Sequence, residues 1–131
     1  MKTLIAEDDF TSRLLLQELL NSFGPCHVAV NGTEAVEAVR ISLEAKEPYD
    51  LICLDIMMPE MDGQSALRSI RMQEEARGII SSRGAKIMMI TALEDIKNVM
   101  AAYSDLCDAY LTKPIQKKSL LEELRNLQLI S

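Results

Sequence analysis

Tyr49 to Gly63 reads YDLICLDIMMPEMDG, and this stretch decides the fold. Leu51, Ile52, Cys53 and Leu54 form an apolar run too short for a helix, and unbroken apolarity suits a strand buried on both faces. Asp55 closes the run with a carboxylate. The Met58-Pro59 step follows, where proline lacks the N–H for a ladder bond and turns its predecessor away from the helical region. Asp55 therefore falls at the carboxyl edge of a central strand, the edge at which open parallel sheets bind ligands.

Outward from this strand the chain alternates. Lys2 to Ala6 is a short apolar strand that stops in Glu7, Asp8 and Asp9. From Phe10 to Phe23, Leu15, Leu16, Leu19, Leu20 and Phe23 share one helical face, and Gly24-Pro25 supplies a left-handed cap and a breaker. Cys26, Val28 and Val30 alternate as a half-buried strand would. Asn31 followed by Glu34 resembles a capping box for a helix with Ala35, Val36, Val39 and Leu43 inward. Asp62 caps a helix through about Glu75 with Ala66, Leu67 and Ile70 inward, and the Gly- and Ser-containing stretch Arg77 to Gly84 reads as an exposed loop. Lys86 to Ile90 is a fourth strand ending at Thr91, and Ile96, Val99, Met100 and Tyr103 recur at helical spacing. Cys107 to Leu111 is a last strand meeting Thr112, Lys113 and Pro114, and Leu120, Leu121, Leu124 and Leu127 line the closing helix. Strands alternating with helices predict an α/β fold, a parallel sheet covered on both faces by right-handed crossovers.

The 131 residues predict one domain, 1–131, able to bury on the order of two-thirds of its unfolded surface. Apolar residues make up 48% and aromatics only 4%, so Leu, Ile, Val, Ala and Met must build the core. A net charge of −6 argues against binding nucleic acid or an anionic membrane and favours a protein partner or small ligand. Cys26, Cys53 and Cys107 are odd in number and read as reduced thiols in a cytoplasmic protein. Leu4, Ile5 and Ala6 before three acids form neither a signal peptide nor a membrane span.

Four strand ends carry polar signals: Glu7 with Asp8, then Asp55, Thr91 and Lys113. In a doubly wound sheet these converge. Gathered carboxylates repel unless a cation neutralises them, and Mg²⁺ accepts one or two carboxylates while keeping room for a phosphate oxygen. The Thr91 hydroxyl and Lys113 ammonium suit a phosphoryl group, since a Lys and a phosphate charge ~4 Å apart attract by roughly 4 kcal/mol at an effective dielectric near 20. The set reads as metal-assisted phosphoryl transfer to a carboxylate. Asp9 and Asp62 read as helix caps, and Lys117 and Lys118 as a solvated helix start. His27, the single histidine, reads as packing or surface, which leaves no phosphohistidine donor within the chain. Met57, Met58, Met88 and Met89 read as core filler.

The segments LIAEDD, LICLDIMMPEMDG, IMMITA and DAYLTKP, in this order and spacing, resemble the receiver domain of two-component response regulators along essentially the whole chain. The resemblance, closest in kind to chemotaxis regulators, implies a flavodoxin-like sheet of strand order 2-1-3-4-5. It implies that Asp55 is the phosphoacceptor, that Glu7 and Asp8 hold Mg²⁺ with Asp8 the direct ligand, and that the Met57 carbonyl is a further ligand. Thr91 matches the switch hydroxyl, Tyr110 the aromatic that swings inward after it, Lys113 the phosphate-binding lysine and Pro114 the residue of a cis peptide bond. The chain departs from the family at Leu106, where a glycine usually stands, and in longer segments through Lys46 and from Arg77 to Gly84.

The function implied is a stand-alone receiver, a phosphoacceptor and not an enzyme in its own right. Asp55 takes a phosphoryl group from a histidine kinase, a histidine phosphotransfer protein or a small phosphodonor, and a face of the fourth helix, fifth strand and fifth helix switches. The form expected is a monomer or a phosphorylation-dependent dimer. Docking to a target, onward relay, or service as the receiver part of a larger kinase remain open as outputs. A hydrolase passing through an aspartyl phosphate would need a second acid two residues after the nucleophile, where Met57 stands. Met57 and Leu93 occupy the positions that flank the path of a hydrolytic water in the family, and both predict slow loss of the phosphoryl group.

Overall fold

The computed structural model describes residues 1–58, 60–80, 83–103 and 106–131. Its strands are β1 (Thr3–Ala6), β2 (Cys26–Ala29), β3 (Leu51–Asp55), β4 (Lys86–Ala92) and β5 (Ala109–Lys113). All pair in parallel, in the order β2-β1-β3-β4-β5. The helices are α1 (Phe10–Leu20), α2 (Gly32–Glu44), α3 (Gly63–Ala76), α4 (Ile96–Tyr103) and α5 (Lys117–Asn126).

Burial on both faces explains the unbroken apolar runs. Every residue of β3 is buried, but successive side chains enter different layers. Ile52 and Leu54 join Leu4, Ile87 and Met89 beneath α2, α3 and α4, where Val39, Leu67, Ile70 and Val99 meet them. Leu51 and Cys53 join Ile5, Met88 and Ile90 on the other side, covered by Leu16 and Leu20 of α1 and Leu120 and Leu124 of α5. Each such Leu or Ile contributes about 1.5–3 kcal/mol by leaving water, so the sheet centre is the most strongly held part of the chain.

Helix starts follow the expected caps. Asp9 Oδ2 accepts from Ser12 N at 2.8 Å, Asn31 Oδ1 from Glu34 N at 2.8 Å, and Asp62 Oδ1 from Ser65 N at 2.8 Å. Glu34 reaches back to Val30 N at 3.0 Å and not to the cap residue's own N–H, a shifted form of the capping box. Gly63 is required where the turn after β3 enters α3: its N–H donates to Ile56 O at 3.0 Å, and a Cβ there would overlap the Asp55 carbonyl.

Several expectations are corrected. The first helix ends at Leu20 and a 3-10 turn, Asn21–Phe23, completes the stretch, while Gly24 takes φ 143°, an extended glycine conformation and not a left-handed cap. β2 does not bury Val28 and Val30, which are 44% and 39% exposed, and Ala29 is buried instead. β2 is the sheet edge; Ala29 lies under α2 with Ala35 and Val39, and on the opposite face Cys26 alone reaches the core beneath α1 and α5. Met100 points outward from α4. The last strand runs two residues later than expected, so Thr112 and Lys113 belong to it. In the Arg77 to Gly84 loop, Ile80 is exposed as expected, and 81–82 lie outside the described residues.

Candidate functional site

At the carboxyl edge of the sheet, β3 delivers Asp55 and β5 delivers Lys113. Both belong to strands flanking β4, and their side chains meet in front of it, Lys113 Nζ lying 3.0 Å from Asp55 Oδ2. The same ammonium is 2.9 Å from Oε1 of Glu7, the fully buried residue that follows β1. Glu7 is fixed by its own N–H, which donates to Ala29 O at 3.0 Å, and its Oε2 accepts from Asp9 N at 3.2 Å. Asp55 Oδ1 accepts from Met57 N at 3.2 Å, so the turn after β3 is folded over the carboxylate it follows.

Asp8 is exposed beside this pair, and one ligand oxygen from each of Glu7, Asp8 and Asp55 falls within 4.8 Å of the others. The electrostatics are unbalanced. Burial first, and then the neighbouring Asp55 carboxyl, push the Glu7 carboxyl up to about 8 against the opposing pull of Lys113. Burial draws the Lys113 ammonium down, but its bonds to Glu7 and Asp55 outweigh this and leave it raised. One ammonium thus serves a three-carboxylate cluster. The surplus negative charge and the all-oxygen donor set fit a hard divalent cation of the Mg²⁺ type.

Thr91 is buried in β4, one residue beyond the Asp55–Ile90 pairing. It borders a cavity of about 380 Å³ shared with Ile56, Met57, Val99 and Tyr103. Tyr110 is half-buried in β5 and packs against the layer beneath α4. The Lys113-Pro114 peptide is cis. Met57 overturns the expectation of core filler: it is 77% exposed, because it stands in the turn beyond β3, whereas Met58, Met88 and Met89 are buried. Asp9 is spent on its cap, which holds its carboxyl below the usual range. His27 is exposed, with Nδ1 2.7 Å from the Tyr49 hydroxyl.

A larger cavity of about 690 Å³ opens at the opposite edge of the sheet, between Tyr49, Glu74, Ile79 and Gly84. It is remote from the carboxylates, and its buried acid is already engaged: Glu74 accepts from Arg71 Nη1 and Ala85 N, both at 2.8 Å.

Two arginines lie outside the set expected from the sequence. Arg71 is buried and donates to Leu106 O at 2.8 Å, Ala85 O at 2.9 Å and Asp108 Oδ2 at 2.9 Å besides Glu74. Its signal was available, since Leu67, Ile70, Arg71 and Glu74 share one helical stripe and two of them are charged. Arg13 donates through Nη1 to Glu7 O at 3.0 Å and Asp8 O at 3.4 Å, and nothing in the spacing of the sequence announces that.

Residues 3–125 match the family described as the response regulator receiver domain. Among curated relatives, hybrid signal transduction histidine kinase B of Dictyostelium discoideum is 36% identical over 129 residues, covering 94% of this chain and 6% of that protein. Sensor histidine kinase GacS of Pseudomonas protegens is 33% identical over 122 residues, covering 92% of this chain and 12% of that protein. The chain thus spans only a small part of these relatives. Among solved structures, the receiver domain of the sensor histidine kinase PA1611 from Pseudomonas aeruginosa, with magnesium coordinated in its active-site cleft, superposes with TM-score 0.74 at 25% identity, covering 97% of each chain. The receiver domain of Ssk1, solved with the histidine phosphotransfer protein Ypd1 of Saccharomyces cerevisiae, gives TM-score 0.80 at 26% identity, covering 97% of this chain and 88% of that chain.

Proposed function

We propose, on the premise that this chain belongs to the response regulator receiver domain family, that residues 1–131 act as one phosphoacceptor domain in which Asp55 takes up a phosphoryl group. The observation that carries this is the placement of Lys113 Nζ 3.0 Å from Asp55 Oδ2 and 2.9 Å from Glu7 Oε1. An Asp55 carboxylate oxygen forms the new O–P bond while the N–P bond of a phosphohistidine breaks. The imidazole leaves with the bonding pair and takes a proton from solvent. Asp8, Asp55 and the Met57 carbonyl, with Glu7 behind them, would hold Mg²⁺, which would supply neutralisation of charge on the phosphoryl oxygens. Lys113 transfers its contact from Asp55 to a phosphoryl oxygen, which keeps the ammonium paired throughout.

Thr91 then donates its hydroxyl to the modified Asp55, and Tyr110 follows it inward, biasing the face of α4, β5 and α5 toward its binding form. The donor is a phosphohistidine on a kinase or a phosphotransfer protein. Exposed apolar side chains around the site, Phe10, Leu14, Met57 and Leu93, support a docking protein there, as does the Ypd1 complex of a similar receiver. The hybrid kinases among the relatives favour a relay step over a terminal output. The setting is cytoplasmic, supported by three free cysteines; among the described residues no helix is long and apolar enough to cross a membrane.

The test is transfer from a labelled phosphotransfer protein. Label should pass to this chain with Mg²⁺ present, stay on the donor when the metal is chelated, and stay there with Asp55→Asn. Transfer to Asp55→Asn would refute the assignment.

A further inference from the structure

The β1–α1 turn is held from both sides, and one of the holding groups is a charge in a costly place. Arg13 begins the second turn of α1, its N–H bonding Asp9 O at 2.9 Å. Its guanidinium folds back to the helix start, the positive pole of the helix dipole, where cations are disfavoured. The first turn itself holds no acidic residue, and the acid at the helix start, Asp9, is engaged in its cap and attracts the guanidinium without forming an ion pair with it.

A guanidinium among Glu7, Asp8 and Asp9 would ordinarily pair with a carboxylate through a two-pronged bond. Among the described residues Arg13 forms no such ion pair. It spends Nη1 on two main-chain carbonyls, Glu7 O at 3.0 Å and Asp8 O at 3.4 Å, and its Cζ lies 5.5 Å from the centre of the exposed Phe10 ring. Fixing those carbonyls fixes the two peptide planes from which the Asp8 side chain departs. From the other side, Glu7 N bonds Ala29 O, Asp9 N bonds Glu7 Oε2, and Asp9 caps Ser12. Within this turn the Asp8 carboxylate alone has no protein hydrogen-bond partner among the described residues.

We infer that Arg13 is a positioning residue for the metal-binding acids: it preorders the Glu7–Asp9 main chain so that Asp8 presents a free carboxylate to the cation without being neutralised itself. The inference rests on the receiver reading above and extends it to a residue outside the acid cluster. The ordering that Arg13 supplies is ordering the cation need not supply on binding, and groups that orient metal ligands from behind typically contribute at least tenfold to affinity.

Calorimetric titration of the whole chain with Mg²⁺ alone tests this, without reference to phosphorylation. Arg13→Gln should raise the Kd roughly tenfold. Arg13→Lys, which keeps the charge and can reach one carbonyl, should fall between Gln and the parent. Amide hydrogen exchange at Glu7 to Asp9 in metal-free protein should quicken in Arg13→Gln while β3 exchange stays put. The Mg²⁺ concentration for half-maximal phosphorylation should rise, with the rate at saturating Mg²⁺ returning to the parent value. A Kd in Arg13→Gln within about twofold of the parent, or tighter because a repelling charge has gone, would overturn the inference. If Arg13→Gln does not fold, Arg13→Lys decides, and a parent-like Kd counts against it. A parent chain that binds no Mg²⁺ would instead overturn the receiver reading, and this inference with it.

Discussion

Arg71 Nη2 donates to Asp108 Oδ2 at 2.9 Å, tying the inner face of α3 to the start of β5 across 37 residues of sequence. The same carboxylate oxygen accepts from Ile87 N at 2.8 Å, and Arg71 Nε holds the carbonyl of Leu106. The residue that replaces the family's usual glycine is thus held by a buried guanidinium, and its N–H closes on Tyr103 O at 3.0 Å.

Arg71→Met should therefore cost far more than a surface charge. Glu74 and Asp108 would be left without their cation in a site where the Arg71 and Glu74 side chains are 6% and 3% exposed. Removing one partner of such a network typically costs about 3–5 kcal/mol. Urea unfolding should show a lower midpoint with an unchanged slope; a loss below about 1 kcal/mol would place the network among surface ion pairs.

Asp8 and Asp9 should separate cleanly. Asp8→Ala should abolish measurable Mg²⁺ binding, because Asp8 contributes to the three-acid cluster. Asp9→Ala should leave binding largely intact and loosen α1 through the lost Ser12 cap. Calorimetry and far-ultraviolet circular dichroism of the two variants check this. Equal loss of Mg²⁺ affinity in both would contradict the orientation of the acidic run.

Stability without metal should depend on pH through Glu7. Its folded carboxyl is raised to about 8, so between its ordinary value and 8 the folded chain binds more protons than the unfolded one. Stability must then fall as pH rises from about 4.5 toward 8. Lys113 acts in the opposite region: its raised value gives a contribution complete below about 10.4 and lost as pH climbs through the folded value. Urea midpoints of the parent and Glu7→Gln in chelator, compared across this range, should diverge in slope on the Glu7 side. Parallel slopes would contradict the assignment.

The phosphoryl group on Asp55 should be long-lived. Met57 and Leu93 are 77% and 66% exposed at the rim, so they can be replaced without disturbing the core. Neither can orient a water by hydrogen bonding. The double variant Met57→Asn with Leu93→Glu should hydrolyse about tenfold faster, equivalent to ~1.4 kcal/mol of barrier. Decay of labelled protein at saturating Mg²⁺ measures it, and an unchanged rate would show that these positions do not gate water here.

What the sequence disclosed, and what it withheld, follows from range. The apolar run of β3, the caps at Asp9, Asn31 and Asp62, and the polar strand ends that bring Asp55, Glu7 and Lys113 together all rest on local chemistry and a topology with few alternatives. Val28 and Val30 misled because alternation tells which residues share a face, not whether a helix covers it at the sheet edge. Met57 departs from the expectation because an apolar residue beside a buried strand need not share its burial, and the turn lifts it to the rim. Arg13 bonds to main-chain carbonyls, which every residue carries, so no residue type at a fixed spacing marks its partners, whereas Arg71 also pairs with Glu74 three residues on, a spacing that the sequence does display.

The central claim is that Asp55 carries the phosphoryl group. Intact-mass spectrometry after incubation with a small phosphodonor and Mg²⁺ tests it most directly. The parent should gain one phosphoryl mass, the gain should vanish with chelator, and Asp55→Asn, folded as judged by its urea midpoint, should gain none. A phosphoryl mass persisting on Asp55→Asn would contradict the account.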